Sequence, residues 1–429
     1  MQRQESSKKK RKRSGKNGGC YHCGSESHRA KYCPNAVCRI CGETGHDVGG
    51  CPRKPPPPVN LGKFRAVEQA YQEGSSGFTY IELFAGMGGF RVALDKLEGR
   101  CVFSSELDRF CTKNYEENFG DQPAGDICRI ESEKIPDHDL LVGGFPCQPF
   151  SSSGKRLGVD DPRGVLFREI TRILKHKRPR TFILENVRGL YLNNDGKTLK
   201  LIAKELEECG YDVIYELIDA VKLLPQERCR LFLIGIRKDL SQEKEKFEFP
   251  SLPDLKRGIE DIVETNAKDS EEMEKLILSP NQLSKVRSQK YTQEHPEARF
   301  LSNLKQPSKT IQSSYMKYMV GSQFIPAPGH KWRRFSSREV ARLQGFPEYF
   351  QLCKHRAHHM IGNAVAPPVI AILAAKLLQY VELHPKTADK SLEDLGWAIT
   401  KVMLLEAVPD DIRKKDLEDK LSAVKIQQT

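Results

Sequence analysis

The sequence predicts an α/β fold built on a parallel sheet, and three observations carry that expectation. Residues 78 to about 240 contain six short apolar runs: FTYIELF, RCVFSSEL, HDLLVGGF, TFILENV, YDVIYELI and CRLFLIGI. Amphipathic helical patterns lie between them, as expected of strands laid side by side through helical crossovers. The first run also feeds directly into a glycine turn and then a helical pattern, AGMGGF. A chain of 429 residues with 38% hydrophobic side chains can bury a large core of this kind.

Taken in chain order, the first strand and its turn place Gly86 and Gly88 where an open α/β sheet lets a nucleotide-like ligand approach the backbone. The second run ends on Glu106, about 20 residues further on, the usual distance for an acid that holds ribose hydroxyls. Asp126, in AGDI, is a candidate partner for an adenine amino group, although each acid could equally be a solvated strand end. Together they favour an adenosine-containing ligand and leave a dinucleotide and S-adenosylmethionine as alternatives.

The third run leads into the loop GGFPCQPFSSSGK, which sets Cys147 between two prolines. Cysteine ordinarily packs as a small hydrophobe, so a polar, glycine-flanked loop at a strand's carboxyl end points instead to a thiolate nucleophile. The fourth run ends in Glu185-Asn186-Val187, where an apolar setting penalises ionisation and suits Glu185 to act as an acid. Helical patterns over Val165–Leu174 and Gly196–Leu206 flank this run, the second entered through Asn193, Asn194 and Asp195. Before the last run, Gln226-x-Arg228-x-Arg230 supplies positive charge. From 241 to about 300 the chain is charged and irregular, as in EKEK and DSEEMEK; Lys285, Arg287, Lys290 and Arg299 could there track phosphates. Pattern returns at 335, and VIAILAAKLLQYVEL (369–383) reads as a strongly apolar helix, followed by a polar, helix-permissive tail over 386–429.

Ahead of this region lie three segments of different composition. Residues 1–18 hold the basic run Lys8–Arg13 and read as a disordered tail, a nuclear-import address or a non-specific nucleic-acid contact. Cys20, Cys23, His28 and Cys33 (within 19–34) are followed at identical spacing by Cys38, Cys41, His46 and Cys51 (within 37–52). Three thiolates and one imidazole complete a tetrahedral shell, so each unit reads as a structural Zn2+ site whose metal supplies the folding energy. The repeat resembles the zinc-knuckle (CCHC) family, which implies binding of single-stranded nucleic acid by base stacking, with Tyr21 as the aromatic candidate; protein binding is the alternative. Residues 53–77, opening with Pro55–Pro58, read as a linker. No run of about 18 apolar residues marks a membrane span, and the N-terminus lacks an apolar signal region. The net charge of +12 suggests a polyanionic partner.

The motifs FAGMGGF, GGFPCQPFSSSGK, ENV, QERCR, RLQGFP and IGNAVAPP occur in the order found in the cytosine-C5 methyltransferase family, which this chain resembles. The resemblance implies a Rossmann-like, S-adenosylmethionine-dependent catalytic domain over 78–240, a target-recognition region over 241–333 and completing motifs over 334–385. It carries the cofactor site to Phe84, Gly86, Gly88, Glu106, Asp126, Ile127 and Asn363. The nucleophile falls on Cys147, the acid on Glu185, and the contact to the base's O2 on Arg230, with Arg228 in support. Ser151, Ser153, Lys155, Gln226 and Thr310 become nucleic-acid contacts, and the target cytosine has to be flipped out of duplex DNA. A tRNA-modifying member and a catalytically inactive binding module are the competing readings. The stretch Lys309-Thr310-Ile311 lacks the Cys-Phe-Thr triplet of the tRNA branch, and the wording of the motifs favours DNA.

Overall fold

The computed structural model describes residues 77–146, 165–241, 245–264, 271–318, 321–383, 392–407 and 418. All six apolar runs form strands: β1 (Thr79–Leu83), β2 (Arg100–Ser105), β3 (Leu140–Gly144), β4 (Thr181–Val187), β5 (Tyr211–Asp219) and β6 (Cys229–Arg237). They make one sheet in the order β2-β1-β3-β4-β6-β5. The expectation of a wholly parallel sheet is corrected here: β1 to β4 pair in parallel, but β6 runs antiparallel to both of its neighbours. The cause is the connection Ala220–Arg228, which is shorter than the dozen or so residues that a parallel crossover needs. The two strands therefore close as a hairpin, and the sheet is mixed.

Alternation along the strands gives the sheet two apolar faces. Ile81, Leu83, Leu141, Phe182, Leu184 and Leu233 point to one side, where the helices Val165–Lys177 and Lys197–Glu207 cover them. The second helix enters through Gly196 at φ 77°, with Asn194 and Asp195 also left-handed, and Thr198 Oγ1 donates to Asn193 Oδ1 at 2.7 Å. On the other side, Tyr80, Leu140, Val142, Ile183 and Ile234 meet the helices Gly89–Leu94 and Pro367–Tyr380. The apolar stretch Ala357–Tyr380 is thus a core element and mostly buried, although long and apolar enough to cross a bilayer.

Residues 386–429 were expected to form a polar tail. Among the described ones, the helix Leu392–Glu406 packs on the core instead, burying Met403, Leu404 and Thr400 and pairing Glu406 with Lys96 at 2.9 Å. In the segment 241–333, a small cluster of Leu278, Val286 and Phe324 packs beneath the short hairpin of β7 (Ile325–Ala327) and β8 (Lys331–Arg333). Arg299 does not track phosphates from there: it is buried, donating to Ser322 O at 2.6 Å and Gln289 Oε1 at 2.8 Å. Its guanidinium saturates backbone and side-chain acceptors that would otherwise be buried unpaired.

Candidate active site

The carboxyl ends of β1, β2, β3 and β4 open onto one cavity of about 420 Å³, in the size range of a cofactor site. After β1 the chain turns sharply. Phe84 (φ 55°) and Gly86 (φ 57°) are both left-handed, and Ala85 N–H donates to Ser105 O at 3.0 Å. This turn aims the Gly86 N–H at Glu106 Oε2 (2.7 Å), while Asp108 N–H reaches Glu106 Oε1 (2.6 Å). Both oxygens are therefore anchored by the backbone, and burial pushes the Glu106 pKa up against those hydrogen bonds. Asp108 in turn caps the helix Arg109–Phe119 by accepting from Phe110 N–H at 2.8 Å. Asp126 accepts from Cys128 N–H at 3.1 Å, which fixes its carboxylate on the cavity wall beside Ile127.

Phe84, Gly86, Glu106, Asp126, Ile127 and Asn363 all line this cavity. Gly88 does not. A Cβ there would lie 2.3 Å from the Phe119 ring, at φ 87°, so this glycine admits an aromatic side chain and starts a helix.

Glu185, Arg228 and Arg230 lie on the same cavity. In the antiparallel register Glu185 faces Phe232, which makes Arg230 its diagonal neighbour on the same sheet face. Arg230 Nε sits 3.1 Å from Glu185 Oε1. Burial raises the pKa of Glu185, and the nearby charges of Arg230 and then Arg228 oppose that rise. The site thus holds a carboxyl group that resists ionisation next to a cation directed at the same space. Asn186 was overlooked as a site residue: its Nδ2 donates to Phe145 O at 3.1 Å, tying β4 to the start of the loop after β3. Its place inside the ENV motif was the available signal. Leu107, exposed on the cavity wall, and His359 were also missed, and neither carries a sequence mark.

Gln226, expected to contact nucleic acid, is fully buried and saturated. Its Nε2 donates to Leu343 O and Gln344 Oε1, both at 3.0 Å, and its Oε1 accepts from Ile311 N–H at 2.9 Å. Thr310 is half-buried, with its hydroxyl donating to Glu227 O at 2.6 Å. Cys147, Ser151, Ser153 and Lys155 lie outside the described residues, as do all eight Cys and His of the N-terminal repeat; Pro146, next to Cys147 in the chain, lines the cavity. Among the described residues no group of three or more His, Cys, Asp or Glu could hold a metal.

This sheet, with its cavity at the strand ends, is that of an S-adenosylmethionine-dependent methyltransferase. A solved relative by fold is the S. pombe Dnmt2 methyltransferase, at a TM-score of 0.54 and 20% identity over 70% of this chain and 98% of that one. The family model for C-5 cytosine-specific DNA methylase matches residues 78–379, and the chain belongs to that family. Type II methyltransferase M1.ScrFI of Lactococcus lactis subsp. cremoris is 40% identical over 72% of this chain and 80% of its own length. Type II methyltransferase M.DsaV of Dactylococcopsis salina is 35% identical over 80% of this chain and 97% of its own.

Proposed function

We propose that the protein methylates C5 of a cytosine flipped out of duplex DNA, through a covalent adduct with Cys147. The observation that carries this reading is the buried Glu185 carboxyl paired with Arg230 at one end of a cavity whose other wall holds Glu106 and Asp126. The residues present suit the cofactor. Glu106 offers an anchored carboxylate for the ribose hydroxyls, Asp126 an acceptor for the adenine amino group, and Phe84, Leu107 and Ile127 apolar walls for the ring. When bound, S-adenosylmethionine supplies an electrophilic methyl group for C5.

Cytosine C5 is a poor nucleophile, and the chain's own residues correct that. The Cys147 thiolate adds at C6, forming an S–C6 bond, and the displaced electron pair is shared between C5 and N3. Glu185 holds N3 and gives it a proton, so that no negative charge builds on the ring. Arg230 binds O2 and keeps the base in register. C5, now electron-rich, takes up the methyl group. Its proton then passes to a solvent base, the S–C6 bond breaks to return the Cys147 thiolate, and N3 gives its proton back to Glu185, which restores the aromatic ring and frees the enzyme. A base stacked in a duplex is out of reach of this cavity, which is why flipping precedes chemistry.

Incubating the protein with methyl-labelled cofactor and nucleic acids tests the reading. Label is expected at cytosine C5 of duplex DNA; label confined to tRNA sinks the DNA assignment, and no label at all sinks the enzyme.

The N-terminal repeat belongs to the same proposal. Cys20, Cys23, His28, Cys33 and Cys38, Cys41, His46, Cys51 would each hold one structural Zn2+ and bind single-stranded nucleic acid, with Lys8–Arg13 as a nuclear-import address. Metal analysis of the full chain is expected to find two zinc equivalents, both lost on deleting residues 1–58; a metal-free full chain refutes the knuckles.

A further inference from the structure

We propose that His359 takes up, through one water molecule, the proton that leaves C5 after methyl transfer. The proposal rests on the function assigned above and names the group that draws the proton away from the solvent base.

The helix Ala357–Asn363 carries two adjacent histidines with different surroundings. His358 is buried, its ring stacked on Tyr315 at 5.6 Å and its Nε2 2.9 Å from Phe335 O, so that ring serves packing. His359 is half-buried and lies four residues before Asn363, on the same face of the helix. Both His359 and Asn363 line the cavity that also holds Glu185, Arg230 and Pro146, the neighbour of Cys147 in the chain. His359 Nδ1 stands 3.2 Å from Ser313 O. A carbonyl oxygen only accepts, so in the neutral ring Nδ1 carries the hydrogen and Nε2 the lone pair. Among the described residues, Nε2 has no hydrogen-bond partner. The Ser313 carbonyl thus selects the tautomer and steadies the ring, leaving a basic nitrogen open.

The other ionisable groups on this cavity, among the described residues, have different tasks. Glu106 is anchored by the Gly86 and Asp108 amides, and Asp126 by Cys128 N–H, both on the cofactor side. Asp108 caps its helix and pairs with Arg356 at 2.8 Å. Glu185 has to bring a proton to N3, and burial holds Cys111 as a thiol by pushing its pKa up. Arg228 and Arg230 have no lone pair to offer. His359 is left as the acceptor. Once C5 carries the methyl group, its hydrogen is acidified by the adjoining C4, which is conjugated with protonated N3. The C5–H bond breaks, and its electron pair becomes the C5–C6 double bond as the S–C6 pair leaves with sulfur. The proton joins the water, which passes one of its own to His359 Nε2. The net change is one proton moved from C5 to the imidazole, which loses it to solvent before the next turnover. Imidazole suits this step because its proton affinity lies near neutral pH, whereas water alone is a far weaker base.

The test follows the elimination step. Full-length His359→Gln and His359→Ala are assayed with S-adenosylmethionine and duplex DNA, or with tRNA if that is what the wild type labels. In both, kcat is expected to fall about 10²-fold while KM for each substrate changes little. Proton removal then becomes the slow step, so nucleic acid deuterated at cytosine C5 should show a larger isotope effect on turnover in the variants than in wild type. The Cys147 adduct, already carrying labelled methyl, should accumulate and be caught on a denaturing gel. Added imidazole should restore turnover to His359→Ala by occupying the space of the missing ring. S-adenosylhomocysteine binding reports that a variant is folded, and either variant alone carries the kinetic and gel measurements. A purely structural role would instead weaken substrate binding and leave the isotope effect where it is in wild type. Unchanged turnover or an unchanged isotope effect overturns His359 as the acceptor while leaving methyl transfer standing. A wild type that transfers no label removes the function, and the acceptor with it.

Discussion

Glu185→Gln is expected to lower turnover by about 10²–10⁴-fold, and Cys147→Ser to abolish it, with S-adenosylhomocysteine binding retained in both. Glutamine keeps the shape of the glutamic acid side chain and can still hold N3, but it has no proton to give up. Arg230, 3.1 Å from the carboxylate in the native site, stays available for O2. The loss therefore falls on kcat, because the missing interaction is one made as charge develops on the ring. The pH dependence separates acid catalysis from simple positioning. Burial raises the Glu185 pKa above the ordinary carboxyl value, so the wild-type rate should decline as pH rises through that raised pKa and the acid is lost. The glutamine variant should show no such limb. Identical pH profiles for the two proteins would rule out Glu185 as the acid, and turnover by Cys147→Ser would rule out the adduct.

Glu82→Gln is expected to stabilise the protein at pH 8 and leave its stability at pH 4 nearly unchanged. Glu82 lies in the middle of β1, fully buried, and accepts from Tyr115 Oη at 3.0 Å. Burial, only partly offset by the Tyr115 hydrogen bond and the charge of Arg91, pushes its pKa from 4.5 up to about 8. The native state thus keeps a proton that the unfolded chain releases above about pH 4.5. Between these two values stability falls as pH rises, by up to about 1.4 kcal/mol per pH unit, and it levels off above the native pKa. The total is on the order of 4 kcal/mol, a large share of a typical domain's stability. An amide cannot ionise, so the substitution removes the slope. Urea midpoints at the two pH values measure it; parallel pH dependences in wild type and variant would show that Glu82 is not the group responsible.

The strands were legible because each apolar run is bounded by turn residues, and the site was legible because those runs end on Glu106 and Glu185. Parallel strands share one direction, so residues far apart in sequence arrive at one edge. The reversal of β6 was readable too, since Ala220–Arg228 leaves no room for a crossover. The role of Gln226 was not. A glutamine beside two arginines fits a base contact as well as it fits a buried strut, and only the arrival of Leu343, Gln344 and Ile311 decides between them. Arg299 misled for the same reason: a basic side chain reveals its charge in the sequence but not the carbonyls that enclose it. Gly88 shows that a motif glycine also serves packing, since it makes room for the Phe119 ring.

The packing of Pro367–Tyr380 against Gly89–Leu94 bears on how the protein is made. Phe84 and Asn363 share a cavity wall, and Lys96 reaches Glu406, so contacts that finish the first helix are supplied near the far end of the chain. Such sequence-distant pairings have a high entropic cost of closure and fold slowly. During synthesis, β1 and its glycine turn leave the ribosome long before the residues that cover them. Over that interval an apolar sheet face is without its lid, the kind of transiently exposed surface through which growing chains associate with one another.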